Sequence, residues 1–129
     1  SLDLPIYVIG HYRKAEDPLG VTRSVDEAVS YYLGLKVQAQ TDKGRFILQS
    51  LVTRSYLEAG QWTEALNSLD KLARDFPKNN PEESLWMKAL IYHNKLKDKA
   101  KAKEEFQKIV DQYPRTKLAR QAEVYLKKI

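Results

Sequence analysis

The chain has 129 residues, of which 43% are hydrophobic and 30% are charged, and its formal net charge is +5. This length suits one domain with a modest core, and the lack of cysteine excludes disulfides, thiolate metal sites and cysteine nucleophiles. No apolar run approaches the ~20 residues that span a bilayer. Residues 95–129 hold 11 Lys or Arg against 5 Asp or Glu, so the whole basic excess lies there. We interpret it first as a solvated helix face.

The first forty residues predict two helices. Residues 4–16 mix apolar and aromatic side chains and predict a helix, although the apolar run 6–9 also suits a strand. The sequence Asp17-Pro18-Leu19-Gly20 is a turn signal. Ser24 and Glu27 then form a capping box, which predicts that the second helix covers residues 24–40.

The central stretch predicts two helices joined at a glycine. A break at residues 41–44 precedes a helix over 45–59, and Gly60 suits a sharp helix end because it adopts positive φ without a Cβ penalty. Thr63 is the expected N-cap of the next helix, which stops at Pro77. The inward candidates of helix 45–59 are Ile47, Leu48, Leu51, Val52 and Tyr56.

Three further helices complete the chain. Asn80 is the expected N-cap of helix 81–95, Pro81 fits its first position, and Glu83 can close the capping box. A helix over residues 99–113 stops at Pro114, and a last helix covers about 116–128.

An internal repeat of 37 residues links these helices. Ala28, Ala65 and Ala102 keep this spacing. Three other columns of similar chemistry keep it too: Tyr32, Leu69 and Phe106; Leu35, Leu72 and Ile109; and Ala39, Phe76 and Tyr113. The repeat therefore predicts an all-α chain of three helical pairs followed by a capping helix.

These residues resemble the tetratricopeptide repeat. Residues 46–79 match its pattern through Tyr56, Gly60, Trp62, Ala65, Leu69 and Pro77, and residues 83–116 match it through Trp86, Ala102, Phe106 and Pro114. The third copy departs where Lys97 replaces the turn glycine and His93 the aromatic of its first helix. The ending YPRTKLARQAEVYLKKI is most similar to modules of bacterial envelope proteins, such as the Tol-Pal-associated coordinator and outer-membrane assembly lipoproteins.

The resemblance implies a single domain shaped as a right-handed α-α superhelix of three helical hairpins and a C-terminal capping helix. Its parts would be a divergent first repeat at 5–40, a second at 45–79, a third at 81–115 and the cap at 116–129. The first helix of each pair would line a concave groove for a partner. The implied groove positions are Ile47, Ser50, Arg54, Leu57, Glu58, Ser84, Met87, Ile91, Asn94 and Lys95. Because Ser50 and Arg54 stand at the main clamp positions of the middle repeat, binding of a C-terminal carboxylate in the manner of chaperone-binding members is not supported.

No motif predicts catalysis, a cofactor or a metal. His11 and His93 lie on different predicted helices without acidic neighbours at metal-ligand spacing, and adjacent glutamates point to different helix faces. The sequence therefore predicts a non-enzymatic scaffold that binds a helix or peptide of a protein partner, in the bacterial periplasm or cell envelope, with the cytoplasm as the alternative. Membrane association would need an anchor preceding Ser1, and self-association is compatible with the sequence.

Two alternatives stay open. The C-terminal lysines could contact nucleic acid or anionic membrane, which would make binding steeply dependent on salt. The chain could also be a structural spacer within a larger protein. The lysines concerned are Lys97, Lys99, Lys101, Lys103, Lys108, Lys127 and Lys128.

Overall fold

The computed structural model describes residues 1–129, and it contains seven helices and no strand. The helices are α1 (Leu4–Lys14), α2 (Pro18–Gln38), α3 (Asp42–Ala59), α4 (Trp62–Asp75), α5 (Pro81–Leu90), α6 (Lys99–Gln112) and α7 (Lys117–Lys128). The predicted all-α helical-repeat class is confirmed. The chain divides into two compact units, residues 1–68 and 69–129, with the division inside α4. No helix is long and apolar enough to cross a bilayer.

The first unit packs α1, α2 and α3 around a shared apolar core. Ile9, Val25 and Tyr32 are almost fully buried there, together with Ala28 of the repeated alanine column. The Tyr32 hydroxyl donates a hydrogen bond to the Leu2 carbonyl, so that the buried phenol has a partner. Burial raises the pKa of this phenol above its ordinary value.

The second unit has its own core between α5, α6 and α7. It is built on alanines and large residues from the predicted stripes, and its buried members are Ala89, Ala102, Phe106, Ile109, Ala119 and Ala122. Small side chains at the helix crossings let the helix backbones approach, which is why the alanine column repeats. Both cores thus use the face that the 37-residue repeat predicted.

Several helix starts differ from the sequence prediction. Helix α2 begins at Pro18, six residues early, because the Asp17 carboxylate accepts a hydrogen bond from the Gly20 amide at 3.0 Å and caps it. The predicted cap, Ser24, instead lies buried inside α2 and donates to the Val21 carbonyl at 3.1 Å. Similarly, Thr41 caps α3 by accepting from the Gly44 amide at 2.9 Å, which moves the start of α3 to Asp42.

Two further local predictions are wrong. Helix α4 begins at Trp62, so Thr63 lies within its first turn and is not its N-cap. Asn80 precedes α5 with a left-handed φ of 51°, but its side chain makes no capping hydrogen bond. Pro81 does occupy the first position of α5, as predicted.

The turns between the two helices of each matching repeat are built differently. Gly60 ends α3 with a φ of 71°, and the Gln61 amide donates to the Tyr56 carbonyl at 3.0 Å, as the glycine predicted. After α5 the chain continues as a π-helical turn, Ile91–Lys95. Lys97 then takes the left-handed conformation with a φ of 53°. A non-glycine residue at the turn position is thus accommodated by a wider last helical turn.

Candidate functional site

The predicted groove residues of α3 face contacts from α1. The Arg54 guanidinium lies 3.2 Å from the Asp3 carboxylate. Arg13 donates hydrogen bonds to the carbonyls of Leu57, at 3.4 Å, and Glu58, at 2.9 Å. In the first unit, therefore, Arg54, Leu57 and Glu58 of the predicted binding face already have partners on α1 or directly before it.

Gly10 of α1 lies against the end of the exposed Glu58 side chain of α3. A Cβ atom added at Gly10 would lie 2.5 Å from the Glu58 carboxylate oxygen Oε1.

Ser50 is half-buried and donates a hydrogen bond from its hydroxyl to the Phe46 carbonyl at 2.8 Å. Ile47 was predicted to point inward, but it is 41% exposed, which corrects that assignment and leaves it open to contact from outside.

The predicted groove residues of the second unit fall into two groups. Ser84 and Ile91 are buried, so their side chains are part of the packing. Met87 is 38% exposed, and Asn94 is exposed with its amide oxygen 3.0 Å from the His93 ring. Lys95 is exposed at the end of the π-helical turn.

An open depression of about 510 Å³ lies between the beginnings of α5 and α7. Met87 and Trp86 from α5 and Leu118 from α7 provide its apolar surface. The other lining residues are polar: Asn80, Glu82, Glu83, Thr116, Lys117 and Gln121. The α7 side of this site was not predicted from the sequence, because the resemblance implies only a capping role for that helix.

Three aromatic rings hold the floor of this depression in place. Trp86 packs edge-to-face against Phe106 and Tyr125, with ring centroids 5.3 and 5.4 Å apart, while Phe106 and Tyr125 stack at 5.1 Å. The rings come from α5, α6 and α7. Because aromatic contacts of this kind restrict side-chain freedom, Trp86 is held in a defined orientation at this surface.

The rim of the depression is acidic on its α5 side. Glu82 and Glu83 lie in the first turn of α5, where the helix dipole favours negative charge. Neither carboxylate forms an ion pair within the chain, so both are available to a cation. A partner that places an apolar side chain on Met87 and a basic one beside these glutamates would complement this surface.

A family comparison matches both central segments. Residues 53–79 and residues 83–116 match the family model of the tetratricopeptide repeat. This match supports the tetratricopeptide repeat family. The first match covers the end of α3 and all of α4, and the second covers most of α5 and all of α6. No curated protein and no solved structure matches the chain significantly.

The C-terminal lysines are on the surface. Lys97, Lys99, Lys101 and Lys103 are all exposed, and the Lys101 ammonium lies 5.7 Å from the centroid of the Tyr92 ring. Lys108 contacts the Glu105 carboxylate at 3.3 Å. This basic region is separate from the residues that line the α5–α7 depression.

Proposed function

We propose that this protein is a non-enzymatic scaffold that binds a segment of a protein partner at the α5–α7 depression. Tetratricopeptide repeats generally mediate protein–protein interaction, and two segments of this chain match that family. The observation that carries the proposal is Met87, an exposed apolar side chain beside Trp86 in an open depression. Exposed apolar side chains in a concavity are a common sign of a contact site.

The lining favours a partner segment with an apolar and a basic side chain. Met87 adapts its shape readily, so it accepts different aliphatic or aromatic side chains. The unpaired carboxylates of Glu82 and Glu83 favour a lysine or arginine next to that apolar side chain. The proposed ligand is therefore a short helical or extended segment with an apolar anchor followed by a basic residue.

Of the predicted groove residues on α3, we keep only Ile47 in this proposal. Ile47 is the most accessible apolar member of that set, whereas Arg54 and Glu58 contact Asp3 and Arg13. We propose that Ile47 gives the first unit a contact of its own with the partner. Charge reversal at Arg54 would also break its ion pair with Asp3, so Ile47→Asp is the cleaner probe on this helix.

Site-specific photocrosslinking tests the proposal while the partner is still unidentified. A photoreactive residue in place of Met87 should yield a discrete adduct in cells, and the same residue in place of Lys103, exposed on α6, should not. Met87→Asp should then reduce capture of that partner at least tenfold, while the thermal unfolding curve measured by circular dichroism stays unchanged. Equal adducts from both positions, or none from Met87, would contradict the proposal.

A place in a bacterial envelope assembly is a further part of the proposal. It rests on the similarity of the ending of the chain to envelope modules of the family. Fractionation of the native protein between periplasm, membranes and cytoplasm would test it. Recovery in the cytoplasm alone would overturn the envelope assignment and leave the binding proposal intact.

The alternative function uses the exposed lysines of the C-terminal part. Eleven of the 22 Lys and Arg residues lie within residues 95–129, and several extend from α6 into solvent. Binding to nucleic acid or anionic lipid through them would weaken steeply with salt, and Lys101→Glu with Lys103→Glu would abolish it. Binding at Met87 would tolerate both changes.

A further inference from the structure

The first forty residues contain most of the exposed large apolar side chains, and four of these, Leu4, Val8, Leu19 and Tyr31, line depressions beside α2. Eight of the thirteen exposed large hydrophobic side chains lie within residues 1–40. Two adjoining depressions of about 300 and 370 Å³ follow the junction of α1 and α2, and both are lined by Val8, Ser24 and Glu27. Together they form a furrow along α2. This furrow contains none of the residues of the α5–α7 depression.

One wall of the furrow is a ridge of residues spaced by four on α2. The ridge consists of Leu19, Arg23, Glu27 and Tyr31, and all four side chains are exposed, Leu19 by 75% and Tyr31 by 50%. Neither Arg23 nor Glu27 forms an ion pair within the chain. In the commonest class of helix packing, ridges with this spacing fit into the grooves between the same kind of ridge on a facing helix.

The order of side chains along the α2 ridge is self-complementary. If a second copy of α2 crosses antiparallel midway between Arg23 and Glu27, Leu19 of one copy faces Tyr31 of the other, and Arg23 faces Glu27. Two-fold symmetry makes each pair occur twice, as a symmetric dimer interface requires. Leu19 and Tyr31 then form apolar contacts, and Arg23 and Glu27 form ion pairs. In the single chain all four side chains are exposed. We propose that this protein forms a two-fold homodimer through the α1–α2 face, with the α2 ridge of each copy in the furrow of the other.

Charge reversal on the ridge gives a sharp test by sedimentation equilibrium. The wild type should shift from 14.9 kDa towards twice that mass as its concentration rises. Arg23→Glu places two pairs of carboxylates opposite each other, and Glu27→Arg places two pairs of guanidinium groups, so each variant should weaken the dimer on the order of 100-fold or more.

Mixing the two variants separates this geometry from any other interface. In a heterodimer of R23E with E27R, both ridge carboxylates of the first variant face arginine side chains of the second, so that both contacts are attractive. The equimolar mixture should therefore dimerise although neither variant does alone, and the double variant R23E/E27R should dimerise as well. Circular dichroism melts confirm that each variant is folded. A wild type that stays at 14.9 kDa, single variants that dimerise normally, or a mixture that stays monomeric would each overturn the proposal.

Discussion

Lys88 Nζ lies 3.2 Å from Glu105 Oε1, and both side chains are more than nine-tenths buried. Lys88 also donates a hydrogen bond to the Asp70 carboxylate at 2.6 Å, so one ammonium joins α4, α5 and α6. The second carboxylate oxygen of Glu105 is buried without a hydrogen-bond partner. Lys88 is therefore the main counter-charge of the buried Glu105 carboxylate, and half-exposed Lys108 is a lesser one.

Removal of Lys88 should destabilise the fold strongly. Lys88→Met leaves the Glu105 carboxylate buried without its main counter-charge, and breaking a buried pair in this way costs about 3–5 kcal/mol. Lys108→Met removes a contact to the same carboxylate from the solvent side and should cost at most about 1 kcal/mol. Urea denaturation of both variants measures the difference. Equal losses would show that Lys88 carries no special part of the stability.

The same ammonium should make stability fall at high pH. Burial alone would lower the pKa of Lys88, but the hydrogen bond to Asp70 and the charge of Glu105 raise it above the ordinary 10.5. The folded state then holds the proton more tightly than the unfolded state. Its stabilisation is complete below about pH 10.5 and is lost as the pH rises from there through the folded pKa.

Comparison with Lys88→Met isolates this contribution, because the raised pKa values of Tyr32 and Tyr56 affect stability in the same direction. Both proteins keep these two phenols. The free energy of unfolding should therefore fall more steeply above pH 10.5 in the wild type than in the variant. Parallel pH curves would refute the assigned role of Lys88.

Two glycines should respond in opposite ways to alanine. Gly60 has a φ of 71°, and a Cβ there would lie 3.0 Å from the Arg13 guanidinium, so Gly60→Ala should cost about 1–2 kcal/mol. Gly34 lies inside α2 with open space around its added Cβ, so Gly34→Ala should stabilise by about 0.4–1 kcal/mol. Denaturant midpoints give both signs. A loss at Gly34 would mean that α2 is packed differently there.

The repeated alanine column should not tolerate a larger side chain. Ala65 on α4 is completely buried, so Ala65→Leu should overpack its surroundings and cost about 1–3 kcal/mol. Asn67 is exposed on the same helix, and Asn67→Leu should change stability by no more than about 0.5 kcal/mol. Thermal melts of the two variants compare them directly. Similar losses of stability in the two variants would mean that the buried face of α4 has been assigned wrongly.

Part of the candidate site was predictable from local sequence. The family resemblance implies a groove position for Met87, which is also apolar and outside the four repeating columns, and Met87 is exposed beside Trp86. Ile91 satisfied the same criterion, yet it is buried at the start of the π-helical turn. Ile91 precedes the residues that the wider turn rotates, so its burial depends on its neighbours in space, which apolar spacing along one helix does not report.

Other features depend on residues that are distant in sequence. The polar side chains of Gln49, Thr53 and Ser68 are buried because they hydrogen-bond to one another, with Gln49 to Ser68 at 3.1 Å and Thr53 to Ser68 at 2.6 Å. Nothing in the neighbouring sequence of each residue distinguishes it from a surface position. Their burial becomes favourable only when two helices bring the partners together.

The sequence by itself determined the helices, the 37-residue repeat and the main turn, since apolar spacing, Gly60 and Pro81 act on the chain within a few residues. Only the tertiary structure decided which charges lie inside and which apolar residues lie outside. Lys88 and Glu105 are buried because each supplies the counter-charge of the other across α5 and α6. The free energy of such a charge depends on the groups that surround it in space, and helical periodicity along one segment carries no information about them.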